Sequence, residues 1–250
     1  MYTVVTSFNE KYWNELTSTT TRELDKNWHK ESKLLFYHEL PKAVTKKSIG
    51  GFSNRCEWID LYKDCPALPA FAEKWKDHPK ANGAKGFKWD AVKFSHKTFA
   101  IWQAWRKTQT GWLVWMDADS LFHKPFDERF QSIVFNRDII AAYVGRPHKY
   151  SECGFMAFNL DRPETHKFME QWEELFLSGE FINLPQTHDS YTFDVMRKNF
   201  DPKLFYDLNV AKSGKHPIHA SLVGPYINHS KGKDKSYKVN KFLSRQVQAS

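Results

Sequence analysis

Cysteine is scarce in this chain of 250 residues: Cys56, Cys65 and Cys153 are the only three. Their spacing fits no metal-ligand pattern and their odd number leaves no complete disulfide framework. A reduced, cytoplasmic setting is therefore expected. No window of eighteen consecutive apolar residues occurs, so no membrane-spanning helix is expected. The first residues lack the basic start and apolar run of a secretory leader. There is no Gly-Asp dipeptide and no internal repeat. Acidic residues are outnumbered, 29 Asp and Glu against 37 Lys and Arg, for a net charge of +8. That balance suits an anionic partner such as a nucleotide diphosphate, a nucleic acid or an acidic surface. Part of the excess lies near the end, in Lys231, Lys233, Lys235, Lys238, Lys241 and Arg245, where a charged tail is often only solvated.

Apolar and aromatic residues are plentiful: 41% of the chain is hydrophobic, with 20 Phe, 10 Tyr and 10 Trp. This length and composition can bury one large core. The pattern alternates strands with helices and predicts an α/β domain with a mostly parallel central sheet flanked by helices. Strands are expected at 2–8, 33–39, 57–62, 112–116, 139–145, 153–160, 204–209 and 222–227. Helices are expected at 9–28, 68–77, 89–107, 125–130 and 163–177, with Asn9 capping the first and Asp90 in the first turn of the third. Another should open at about Thr187, with Thr187 as its cap. Residues 40–86, with Gly50-Gly51 and several prolines, read as a loop-rich elaboration. Residues 1–230 are read as a single domain and 231–250 as a basic loop and tail.

The chemistry concentrates at 112–126, WLVWMDADSLFHKPF. An apolar run reads as a strand buried on both faces and ends in Asp117-Ala118-Asp119. Alternation points both carboxylates the same way, which is repulsive unless a cation or donors lie between them. Hard oxygen ligands at a strand end suit Mg²⁺ or Mn²⁺ bridging a protein to a diphosphate. Two aspartates so spaced also serve as turn or cap residues. At the carboxyl edge of the first strand, Thr6, Ser7 and Asn9 offer donors and Tyr12 a ring for stacking on a base. Lys93 is placed to reach a diphosphate, Gly154 allows close backbone approach, and Gln186, His188 and Asp189 open a late helix.

In motif order the chain resembles the GT-A glycosyltransferases, most closely the family 8 type that includes glycogenin and bacterial galactosyltransferases. The resemblance rests on the strand ending in Asp117-Ala118-Asp119, the small-residue strand CGFMAFNL, the acidic segment around Gln186 and Asp189, and the string from His229 to Lys235. That string fits H-x-x-G-x-x-K. The resemblance implies a GT-A fold, a metal site completed by His229, and service to the donor diphosphate by Gly232 and Lys235. It implies a hexosyltransferase that moves a sugar from a nucleotide diphosphate sugar, UDP-glucose or UDP-galactose foremost, to a hydroxyl acceptor on a carbohydrate, a lipid-linked sugar or a protein. Retention at the anomeric carbon is implied too, with Asp189 and Asp119 in catalytic roles. A nucleic-acid acceptor fits the charge but lacks a recognition pattern. The alternatives are a nucleic-acid or glycan binding module on a decayed transferase fold, and a metal-dependent phosphohydrolase, which the missing Gly-Asp motif disfavours.

Overall fold

The computed structural model describes residues 1–42, 50–135, 138–210 and 216–229, together with 239, 242 and 244. A seven-stranded sheet in the order β3-β2-β1-β4-β7-β6-β8 forms its centre. The strands are β1 (Tyr2–Asn9), β2 (Lys33–Glu39), β3 (Cys56–Asp60), β4 (Trp112–Met116), β6 (Ala141–Val144), β7 (Glu152–Asn159) and β8 (Phe205–Asp207). β1, β2, β3 and β4 run parallel; β7 is antiparallel to both β4 and β6, and β8 is parallel to β6. This is the expected mixed, mostly parallel α/β arrangement.

β4 shows why an unbroken apolar run was needed. Leu113 and Trp115 enter the core on one face, while Trp112, Val114 and Met116 enter the core on the other. Helices cover both faces: α1 (Ser18–Asn27), α2 (Ala67–Trp75), α3 (Ala91–Lys107), α4 (Glu128–Val134), α5 (Pro163–Leu177) and α6 (Asp189–Arg197). α3 and α5 meet through Trp102 and Trp172, both fully buried, with their rings edge to face at 5.7 Å. Such a pair contributes about 0.5–1.5 kcal/mol beyond its burial and ties α3 to α5.

Several local expectations are revised. The helix expected at 9–28 begins with Glu10–Tyr12, passes through a π-helical segment at Trp13–Thr17 and continues as α1. Asn9 does cap it, accepting from the Tyr12 amide at 3.0 Å. Asp90 is the N-cap of α3 instead of a first-turn residue. Thr187 does not cap α6: its hydroxyl donates to the Lys80 carbonyl at 2.6 Å, and His188 stands at the cap. Two short strands replace simpler readings around the aspartates and near position 222. Residues 222–226 are mostly turn, and β9 (Ile227–His229) pairs antiparallel with β5 (Ser120–Phe122), a strand the sequence did not suggest. The tail is not wholly solvated, because Val239 is 1% exposed and packs with Leu16 and Leu121. No helix among the described residues is long and apolar enough to cross a membrane.

Candidate active site

In an open α/β sheet ligands bind beyond the carboxyl ends of the strands where the order reverses. Here that place is between β1 and β4, since β2 continues from β1 on one side and β4 lies on the other. A cleft of about 260 Å³ opens there, lined by Ser7, Phe8 and Asn9 at the end of β1 and Tyr12 just beyond it, Glu39 at the end of β2, Lys93, Phe94, His96 and Lys97 on α3, Trp115 on β4, Asp117, Ala118 and Asp119 after it, and Asp189. Its volume is just below the usual range of small-molecule sites.

Asp117 and Asp119 are not on a continuing strand. They form a tight turn in which the Ser120 amide donates to the Asp117 carbonyl at 2.8 Å. Three contacts hold the turn: the Asp117 amide donates to the Gly154 carbonyl at 2.9 Å, the Thr20 hydroxyl to the Ala118 carbonyl at 2.7 Å, and the Trp115 indole to Asp117 Oδ1 at 2.8 Å. The turn reverses the chain into β5, whose Ser120 sits opposite His229 of β9. That pairing brings His229 to Asp119 across more than a hundred residues of sequence, with Nε2 2.9 Å from Oδ1. Asp117, Asp119 and His229 each offer one ligand atom, and these atoms lie within 4.8 Å of one another. Two carboxylates and one buried imidazole at this spacing fit a hard divalent ion of the Mn²⁺ or Mg²⁺ type.

Behind His229 lies Glu152, 5% exposed, with Oε1 4.0 Å from His229 Nδ1. Glu152 is itself ion-paired with Arg146. Glu152, His216 and His229 form a second group of close potential ligands, but it shares its imidazole with the first and its carboxylate with a guanidinium. We read it as support for the first. Gly154 lies beneath the His229 ring. A Cβ there would come within 2.9 Å of Ile218 Cδ1 and 3.0 Å of His229 Cε1, so the missing side chain seats the histidine.

The residue that sequence reasoning missed is Lys97. Its Nζ lies 2.9 Å from Asp117 Oδ1 and 2.8 Å from Asp189 Oδ2, donates also to the Cys153 carbonyl, and its side chain is 10% exposed. Burial opposes charge on both partners of the Lys97–Asp189 pair, yet their attraction prevails. Lys97 is held above its ordinary range by Asp117 and Asp189, and Asp189 is held below the usual carboxylate range by Lys97, with help from His188. A signal existed: Lys97 is followed within α3 by Phe99, Ala100, Ile101, Trp102 and Trp105, all buried, so a lysine beside that stretch has little route to water and needs a counter-ion.

The other expected residues are divided. Ser7, Asn9, Tyr12 and Lys93 line the cleft with Asp117, Asp119 and Asp189. Thr6 is buried and faces a small void under the aspartate turn with Thr20 and Thr21. His188 is enclosed by the rings of Tyr150, Phe87 and Phe94, at 4.3, 5.9 and 5.9 Å, and its Nε2 is 3.0 Å from Gln186 Oε1. Gln186 lines a different cavity. Gly232 and Lys235 lie outside the described residues.

Among solved structures, mouse xyloside xylosyltransferase 1 in its apo form aligns over 83% of this chain and 85% of its own, at 14% identity and a TM-score of 0.52. The galactosyltransferase LgtC in complex with donor and acceptor sugar analogs aligns over 97% of this chain and 94% of its own, at 9% identity and a TM-score of 0.54. The Streptococcus pneumoniae glycosyltransferase GlyE aligns over 84% of this chain at 11% identity and a TM-score of 0.52, and the match spans 46% of that protein. No family model matches the sequence, and no curated protein matches it. At these identities the likeness defines the fold, and the fold is that of the GT-A glycosyltransferases.

Proposed function

We propose that this protein is a glycosyltransferase that moves a hexose from a nucleotide diphosphate sugar, UDP-linked, to a hydroxyl acceptor with retention at the anomeric carbon. The observation that carries the reading is the convergence of Asp117, Asp119 and His229 at the carboxyl edge between β1 and β4, where a nucleotide is expected in this topology. Asp117, Asp119 and His229 would hold Mn²⁺ or Mg²⁺. When bound, the ion supplies charge to a diphosphate leaving group. Ser7 and Asn9 at the end of β1, with Tyr12 in the helical turn that follows, line the side of the cleft proposed for the nucleoside, and Lys93 faces the same space.

Asp189 supports retention over inversion. A general base works best with a pKa near the working pH, whereas Asp189 is buried, paired to Lys97 and held below the usual carboxylate range. Such a group takes up protons poorly. It remains anionic, which suits stabilising positive charge on a sugar ring during transfer.

The test is calorimetric titration of UDP with Mn²⁺ present, then with EDTA, on the parent protein and on Asp119→Ala and His229→Ala. Binding that needs the metal and is lost in both variants is expected. Binding that survives EDTA and both substitutions would sink the proposed metal site. Absence of UDP binding, followed by failure of GDP and other nucleoside diphosphates, would sink the transferase reading in favour of the binding module.

A further inference from the structure

A second cavity, of about 520 Å³, is lined by Lys88, His148, Lys149, Tyr150, Gln186, Tyr191, Asp194, Val195 and Lys198. It lies on the same edge of the sheet as the first. The loop carrying His148, Lys149 and Tyr150 follows β6 and precedes β7, whose start adjoins the aspartate turn through the bond from the Asp117 amide to Gly154. His188 and Asp189, at the start of α6, stand between the cavities: Asp189 lines the first, and His188 packs on Tyr150 of the second.

The linings have opposite character. The first is crowded with carboxylates. The second presents three lysines and a histidine against the single carboxylate of Asp194, which is already committed: it accepts from the Ser151 amide and hydroxyl, both at 2.7 Å, and pairs with Arg197 at 3.1 Å. Lys88, Lys149 and Lys198 make no ion pair within the described residues. Uncompensated ammonium groups around a concavity attract anions. The cavity also has rings, Tyr150 and Tyr191, with Phe87 54% exposed beside His188. Tyr150 and Tyr191 are half-buried, and partly exposed aromatic rings next to polar groups suit the apolar faces of sugars.

We infer that this cavity is the acceptor site and that the acceptor is a saccharide carrying an anionic group, a phosphate or a carboxylate. The inference rests on the transferase reading and deepens it. The lysines hold the anion, the rings hold the sugar, and the His188–Asp189 boundary places an acceptor hydroxyl towards the donor cleft. A cavity of this size falls within the usual range for a small-molecule ligand, whereas a nucleic acid is tracked along an extended basic groove.

The experiment is calorimetry, at physiological salt, on protein saturated with UDP and Mn²⁺. The probes are glucose 6-phosphate, glucuronate, glucose, inorganic phosphate and a thymidine oligonucleotide, each tested on the parent and on Lys149→Gln/Lys198→Gln. Glucose 6-phosphate or glucuronate should bind more tightly than glucose and than phosphate alone. The double variant should lose about tenfold, equivalent to about 1.4 kcal/mol, with UDP affinity unchanged. The inference is overturned by glucose binding as well as the charged sugars, by none of the saccharides binding, by phosphate alone matching the sugar phosphate, or by a double variant that binds like the parent. Tighter, salt-sensitive binding of the oligonucleotide overturns it in favour of a nucleic-acid acceptor. The UDP titration reads the donor site separately, so loss of UDP binding marks failure of the transferase reading and not of the charged cavity.

Discussion

Replacing Lys97 by methionine keeps the length of the side chain and removes the charge that holds Asp117 and Asp189 together. In the parent, Nζ lies 2.9 and 2.8 Å from the two carboxylates. The variant leaves those carboxylates close together at the end of β4 with no internal cation. Breaking a buried pair by deleting one partner costs about 3–5 kcal/mol. Asp117 is the more accessible partner, its side chain 27% exposed against 5% for Asp189, so water screens its share and Asp189 sets the loss. In a chain of this size each kcal/mol moves Tm by about 2–4 °C, so thermal unfolding followed by circular dichroism at neutral pH should shift down by about 6–20 °C. Adding Asp189→Asn to Lys97→Met should return much of that loss, because the double variant buries one charge fewer, and the cycle isolates the pair. Mn²⁺ should also return part of it by binding the folded state, about 2.7 kcal/mol at a hundredfold excess over Kd. A Tm within about 2 °C of the parent, below the effect of even 1 kcal/mol, would refute the assignment of Lys97 as counter-ion. Equal losses in the single and double variants would refute it as well.

Three further outcomes are expected. Gly154→Ala pushes a methyl against the His229 ring, where a Cβ would stand 3.0 Å from Cε1, and should weaken Mn²⁺ about 10–100-fold, the usual cost of disturbing the support of a ligand; calorimetry with Mn²⁺ reads it, and unchanged affinity would mean that the histidine is seated by other contacts. Asp189 is held low when folded, so the unfolded chain takes up its proton first as acid is added. Its contribution is complete above about pH 4, the unfolded value, and fades as pH falls below it. The urea midpoints of the parent and Asp189→Asn should therefore differ at pH 7 and converge in acid, and a constant gap would contradict the pairing. Val239→Ala removes two buried methyl groups beside Leu16 and Leu121 and should cost about 1.5 kcal/mol; a denaturant midpoint unchanged by the substitution would place the described end of the chain outside the cooperative fold.

The layers of the fold were legible because β4 cannot satisfy five consecutive apolar side chains unless both faces of the sheet are covered. Hydrophobic periodicity then distinguished α5 from the strands, and a long stretch without Gly or Pro distinguished α3. Asp117 and Asp119 were legible as a pair, but the reason given for their convergence was wrong: a turn pinned by Thr20 and Gly154 aims them, not strand alternation. β5 and β9 are three residues each, too short to carry a period, so the pairing that brings His229 to Asp119 had no local signal. Its role was available only from resemblance. Lys97 was legible in principle, as a lysine beside an apolar stretch of its helix, but its partners lie 20 and 92 positions away and no spacing rule reaches that far.

The contact between Asp119 and His229 has a further consequence for Glu152. A 2.9 Å approach of Nε2 to a carboxylate oxygen requires a proton between them. Asp119 and His229 would hold a metal ion only with that proton gone, since ligating imidazole must present a bare nitrogen. The ring would then carry its proton on Nδ1, a buried atom with no hydrogen-bond partner among the described residues, and the carboxylate facing it is Glu152 Oε1 at 4.0 Å. A small movement closes that gap into the carboxylate–histidine support found behind metal ligands. Glu152→Gln retains shape and loses the charge, so Mn²⁺ affinity should fall about tenfold, and Tm without metal should fall as well because Arg146 loses its buried anion. If Tm falls but Mn²⁺ affinity is unchanged, Glu152 serves the Arg146 pair alone, and His229 owes its orientation to Gly154 and to the bond from its own amide to His219 Nε2.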